Sequence, residues 1–181
     1  MVWGDLQLAG SLLAQALELA RRAGNREVEV ARLYNLGMLS LTRGNRSDSE
    51  CYILQGQAVA AETGDRQAQA RLLTQLGVLA IEQNAPDRAV GLLEEDAGLA
   101  REIGDAMGVG FALCQEASLR TQQRNYREAL RLSDQARPWS ERARTHQDLD
   151  ELHAHRSWLL GQISVTESRR KDGRRRRHPQ K

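Results

Sequence analysis

Three amide side chains recur at one interval along the chain: Asn35, Gln75 and Gln115, with His155 one interval further. An amide is both donor and acceptor. A row of amides on one face can therefore pair with successive peptide groups of an extended strand, whatever its side chains. Arg32 precedes Asn35 by three residues and Arg71 precedes Gln75 by four. On a helix both spacings place the arginine one turn from its amide, where a guanidinium can pair with carboxylates of a ligand. Tyr34, Met38 and Val78 supply an apolar floor, interrupted where Thr74 stands at the position of Tyr34. Arg32, Tyr34, Asn35, Met38, Arg71, Gln75, Val78 and Gln115 are thus candidates for contact with an extended peptide.

Signs of catalysis are absent from the sequence. It contains no phosphate-cradling GxxxxGK[ST], no GxGxxG, no HExxH and no GxSxG. His153 and His155 are two residues apart, and such a pair does not share a helix face. A metal site is therefore not expected, nor is a cofactor, and the chain is read as a non-enzyme. Cys51 and Cys114 are far apart and belong to no CxxC pair, which fits two reduced, partly buried thiols. The acidic run Glu94-Glu95-Asp96 reads as a solvated charge cluster. There is no apolar segment of the ~18 residues that a spanning helix needs and no secretory start, so a cytoplasmic location is expected.

Charge is segregated along the chain. From Arg169 to Lys181 the sequence is almost wholly basic, with Arg174, Arg175, Arg176 and Arg177 in one run and Asp172 the only acid. The remainder is net negative. So polar a segment is expected to be disordered, and its arginines form an electrostatic patch suited to weak contact with nucleic acid. No aromatic residue is interleaved to stack on bases.

The elements that position the amide row follow from a 40-residue repeat. Gly24-Asn25-Arg26, Gly64-Asp65-Arg66 and Gly104-Asp105-Ala106 share one register. Leu33, Leu73 and Leu113 share another, as do Leu36-Gly37 and Leu76-Gly77. A second break falls mid-period at Gly44-Asn45, Asn84-Ala85-Pro86 and Arg124-Asn125. Each period therefore reads as helix, turn, helix, turn. The glycine ends one helix with positive φ, and the following Asn or Asp caps the next. Pro86 falls near a helix start, where its missing N–H costs little. Helices are expected near 6–23, 26–42, 46–62, 66–82, 86–102, 106–122, 126–141 and 146–166. Small residues at Gly37, Gly77 and Ala117, faced by Ser49, Ala89 and Ala129, let paired helices approach closely.

The LxxLG segments Leu33–Gly37 and Leu73–Gly77, each followed by a turn and a small residue, resemble the tetratricopeptide repeat (TPR) family. The period of 40 is similar to the extended variant found in kinesin light chains, polarity adaptors and bacterial signalling regulators. The resemblance implies an all-α, right-handed superhelical solenoid of antiparallel helix pairs. The domain would cover residues 1–166, with repeats at 26–63, 66–103 and 106–142 and a half repeat at each end. Residues 167–181 would form the disordered basic tail. The family's first helices line a concave groove that holds an extended peptide. The resemblance therefore implies a protein-interaction module: an adaptor, a scaffold or the sensor part of a larger signalling system, with a protein or peptide partner.

Departures from the repeat gather late in the chain. Glu116 and Arg156 stand where Leu36 and Leu76 stand, Asp96 stands where Gly56 and Ala136 stand, and Pro138 falls inside a helix. The C-terminal third, from about residue 124, is expected to be the least stable part. The first helix matches the second half of a repeat, so the chain reads as a fragment or truncated homologue of a longer protein. Two further readings remain: a nucleic-acid-associated protein acting through its tail, and a decayed fragment that self-associates. Oligomeric state is left open by the sequence.

Overall fold

The structure, a computed structural model, describes the backbone of residues 2–143 and 146–177, and the side chains of 6–143 and 149–168. Eight helices follow one another among the described residues: α1 Val2–Arg22, α2 Arg26–Thr42, α3 Arg46–Thr63, α4 Arg66–Glu82, α5 Pro86–Ile103, α6 Ala106–Gln122, α7 Tyr126–Ala143 and α8 His146–Arg177. They form a right-handed solenoid of antiparallel pairs. Each helix packs chiefly on its chain neighbours, and α4 also touches α6.

The turns are one device repeated every 20 residues. Gly24, Gly44, Gly64 and Gly104 have positive φ, and at the two remaining steps Asn84 and Arg124 take the same conformation, with φ of 56° and 58°. Behind the four glycine turns a side chain caps the next helix. Asn25 accepts from the Val28 N–H, Asn45 from Asp48, Asp65 from Ala68 and Asp105 from Gly108. Ala85 has no such side chain, and there Pro86 opens α5 instead, at a position where its missing N–H is not needed.

Burial fixes the pairing. Leu33, Ile53, Leu72 and Leu93 are fully enclosed, each contributing ~1.5–3 kcal/mol relative to exposure. The close approach of α2 to α3 depends on Gly37: a Cβ there would sit 2.6 Å from Ile53 Cδ1. Gly77 repeats the arrangement against Leu93, at 2.9 Å. A ladder of surface ion pairs crosses the outside, joining Arg26 to Glu62, Arg46 to Glu82 and Arg66 to Glu102. The ladder lapses where Pro86 and Gln122, then Ala106 and Arg142, occupy the equivalent positions.

Several expectations are corrected by the packing. Asp96 belongs to no solvated run: it is fully buried, because α5 turns it toward α4 while Glu94 and Glu95 stay exposed. Pro138 lies inside α7, as the sequence indicates, and the helix continues to Ala143. Both Pro138 and Asp134, whose carbonyl loses its donor, are exposed, so water can replace the missing bond. Glu116 is buried but keeps a cation, Arg120, at 3.4 Å. Arg156 is half-buried and pairs with Asp134 at 2.6 Å. The helical backbone of α8 extends to Arg177, past the expected end at 166. Arginine is a good helix former, and this carries the helix beyond its last packed turn. The side chains of 169–181, the patch Arg174, Arg175, Arg176 and Arg177 included, lie outside the described residues.

Candidate functional site

The first helices of successive pairs, α2, α4 and α6, share one face with α8, and two hollows open along it. The larger, about 690 Å³, is walled by Glu27 and Val30 of α2, Ala70, Arg71, Thr74 and Gln75 of α4, Asp96 of α5, and Met107, Gly108 and Phe111 of α6. The second, about 380 Å³, lies between α6, α7 and α8 and is walled by Gln115, Cys114, Glu151 and His155, among others. Met107 and Phe111 border both hollows, so the two adjoin across these side chains. These two side chains are largely exposed, at 61% and 43%, and form an apolar ridge between the hollows.

The amide row is thus divided between the hollows. Gln75 lines the first, Gln115 and His155 line the second, and Asn35 borders neither. Asn35, Gln75 and Gln115 are all half-buried, as residues on a groove wall would be. Arg71 and Tyr34 are brought together, the guanidinium lying over the ring at 4.8 Å from its centroid. This contact holds a cation against an aromatic face and ties α4 to α2. Arg32 is half-buried with its Nε enclosed and without a hydrogen-bond partner. Met38 and Val78 are half-buried beyond the hollows.

His155 is held by packing. Its Nε2 lies 3.0 Å from the Thr121 hydroxyl and its ring stacks on Trp158, while burial lowers its pKa from the ordinary imidazole value. The ring borders the second hollow. Among the described residues no cluster of His, Cys, Asp or Glu has the makings of a metal site, and no helix is long and apolar enough to cross a membrane.

Sequence reasoning missed the acidic wall. The Thr74 hydroxyl donates to Asp96 Oδ2 at 2.6 Å, while Asp96 Oδ1 is enclosed without a partner. Desolvation pushes the Asp96 carboxyl up to about 6; the Thr74 hydrogen bond opposes the shift and the nearby Asp105 adds to it. The signal was present in the register. In this copy of the repeat Asp96 breaks the pattern of small residues set by Gly56 and Ala136, and it meets the hydroxyl of Thr74.

No protein-family model matches the chain, and no curated protein matches it. Solved structures do. One is BtubC (BKLC) from P. vanneervenii, 16% identical, with a TM-score of 0.80 over 98% of this chain and 76% of that one. Another, from Podosopora anserina, is described as a kinesin light chain with nearly identical TPR-like repeats; it is 15% identical, with a TM-score of 0.71 over 93% of this chain and 83% of that one. A third is a Rap protein complexed with Competence and Sporulation Factor, 16% identical, with a TM-score of 0.58 over 89% of this chain. The match spans about half of the Rap chain, 49%. With its 20-residue turn period, its LxxLG close approaches and these likenesses, the chain has the tetratricopeptide-like helical repeat fold.

Proposed function

We propose that the chain is a protein-interaction module that holds an extended peptide segment along the face shared by α2, α4, α6 and α8. The observation that carries this reading is the pair of adjoining hollows on one face, walled at repeat spacing by Gln75 and Gln115 and bordered by exposed Met107 and Phe111. A docking strand loses water from its N–H and C=O groups and needs partners for them. Half-buried amides one repeat apart supply such partners without dictating sequence. The Rap protein, whose fold is similar, is complexed with Competence and Sporulation Factor, which supports a ligand-holding role for this architecture. Such a module serves as an adaptor, a scaffold or the sensing part of a larger signalling system, at work in the cytoplasm.

The test uses peptides selected on the whole chain from a random-sequence display library. Replacing Asn35, Gln75 and Gln115 together by Ala should weaken the selected peptides by on the order of 1 kcal/mol per lost hydrogen bond, with little change in melting. Unchanged affinity would remove the proposal. A large loss of thermal stability would mark the amides as structural.

A further inference from the structure

The larger hollow has an acidic character that the arginines of the sequence did not suggest. Glu27, Asp65, Asp96 and Asp105 line it, and Arg71 is the one cation among its described lining residues. Arg71 already faces the Tyr34 ring. Asp65 and Asp105 each give one oxygen to a helix N-terminus. Asp96 is different: it is 0% exposed, and one of its oxygens has no hydrogen-bond partner.

A buried, half-satisfied carboxylate is costly, and the repeat shows that the fold does not require one. The same position is Gly56 one copy earlier and Ala136 one copy later. At Gly56 the neighbouring space is taken by Leu72, whose Cδ2 would lie 3.3 Å from an added Cβ. The counterpart of Leu72 in the next copy is Ala112, so the register withdraws a large apolar side chain where it introduces a carboxyl. Thr74 supplies the hydroxyl that reaches it. Two coordinated departures, Asp96 and Ala112, thus build a polar recess in the wall of an otherwise apolar stack, with Thr74 beside it. Ala70, Thr74 and Gly108, all small, line the same cleft.

We infer that this recess receives a cationic side chain, lysine or arginine, of the bound peptide, with Asp96 as its counter-charge and Thr74 holding the carboxylate toward it. The inference rests on the peptide-groove reading above and specifies its ligand. A basic group at the mouth of the recess lies close to the enclosed Asp96 carboxylate and away from bulk water, where the low local dielectric strengthens their attraction. Glu27, Asp65 and Asp105 add to the attraction around the mouth.

The experiment again uses display-selected peptides and the whole chain. Selected sequences should share a lysine or arginine. Replacing that lysine by norleucine, which keeps the length and removes the charge, should weaken binding to the unaltered protein about ten- to a hundredfold. On Asp96→Asn, which retains the hydrogen bond from Thr74, the lysine and norleucine peptides should bind nearly alike. Selected peptides without a shared cation, or equal affinity of the two peptides for the unaltered protein, would overturn the inference. So would a norleucine penalty that persists undiminished in Asp96→Asn. The norleucine comparison needs no altered protein, so it decides the matter even if that variant folds poorly. If the amide triple variant loses binding while the charge replacements have no effect, the groove stands and the cation recess falls. If none of these changes matters, the groove itself falls.

Discussion

Adding one methyl group to Gly37 should push α2 and α3 apart, and a control glycine isolates the size of that effect. In a helix interior, Gly→Ala is worth up to about 1 kcal/mol of stabilisation from propensity alone. Gly91 of α5 is exposed, with nothing within 4 Å of an added Cβ, so Gly91→Ala should show that gain. At Gly37 the same Cβ lies 2.6 Å from Ile53 Cδ1, 2.9 Å from Ile53 Cγ1 and 3.3 Å from the Ser49 carbonyl oxygen. Ile53 is itself 0% exposed and has no free space to turn into. Overpacking of this kind costs ~1–3 kcal/mol. Because the propensity gain is common to both variants, their difference reports the packing penalty alone. For a chain of this length each kcal/mol moves the melting temperature by about 2–4 °C, so the two should separate by several degrees. Ile53→Val removes Cδ1 and should restore part of the loss in a Gly37→Ala background, a coupling that a double-mutant cycle measures. Urea melts followed by circular dichroism are sufficient. If Gly37→Ala stabilises as much as Gly91→Ala, the close approach of α2 and α3 is not as described.

The remaining predictions address charge, turns and the end of the array. The Asp96 carboxyl, raised from 3.8 to about 6 in the fold, stabilises the folded state only while it holds its proton; that contribution is complete below about pH 4 and is lost as the pH rises past 6. Asp96→Asn should therefore gain about 3 kcal/mol relative to the unaltered chain between pH 4 and pH 7.5, and parallel pH profiles of the two in urea would refute the burial argument. Arg124 takes the left-handed turn conformation that glycine occupies elsewhere, so Arg124→Gly should stabilise by roughly 1 kcal/mol, and a destabilised variant would show that the Arg124 side chain does more than close the turn. In a solenoid one end can open alone, and toward the C-terminal end Glu116 of α6 and Arg156 of α8 stand where Leu36 and Leu76 stand, while α7 carries an exposed Pro138; amide exchange should be faster in 126–160 than in 66–103, and uniform protection would contradict this gradient.

The turn period was legible because backbone chemistry is local. A glycine with positive φ followed by Asn or Asp marks a helix end and a helix start in one step, and the four such breaks, with those at Asn84 and Arg124 in the same period, gave the helix boundaries between the end of α1 and the start of α7 nearly to the residue. Asn84 and Arg124 kept the period without glycine because neighbouring helices, once packed, hold the turn. The cleft was legible only in part. Repeat spacing located Gln75, Gln115 and His155 on one face, but the pairing of Arg71 with Tyr34 depends on how α4 leans on α2. The burial of Asp96 was hidden by its exposed neighbours Glu94 and Glu95, since adjacency in sequence says little about which helix face is enclosed. Comparing copies of the repeat would have exposed it, because Asp96 replaces Gly56 and Ala136 where Ala112 replaces Leu72 and Leu152. The ion pairs between Arg46 and Glu82 and between Arg66 and Glu102 follow from antiparallel packing of successive helices, a geometry that charge counting does not reveal.

Locating a bound peptide on the surface tests the account most directly. A photo-crosslinking residue placed at Gln75, on the cleft wall, should capture a display-selected peptide, and one at Gln115 should capture the same peptide at a position further along its chain. The same probe at Gln55, exposed on the second helix of a pair, should capture none. Efficient capture at Gln55 with none at Gln75 and Gln115 would place the partner on the opposite face and contradict the groove.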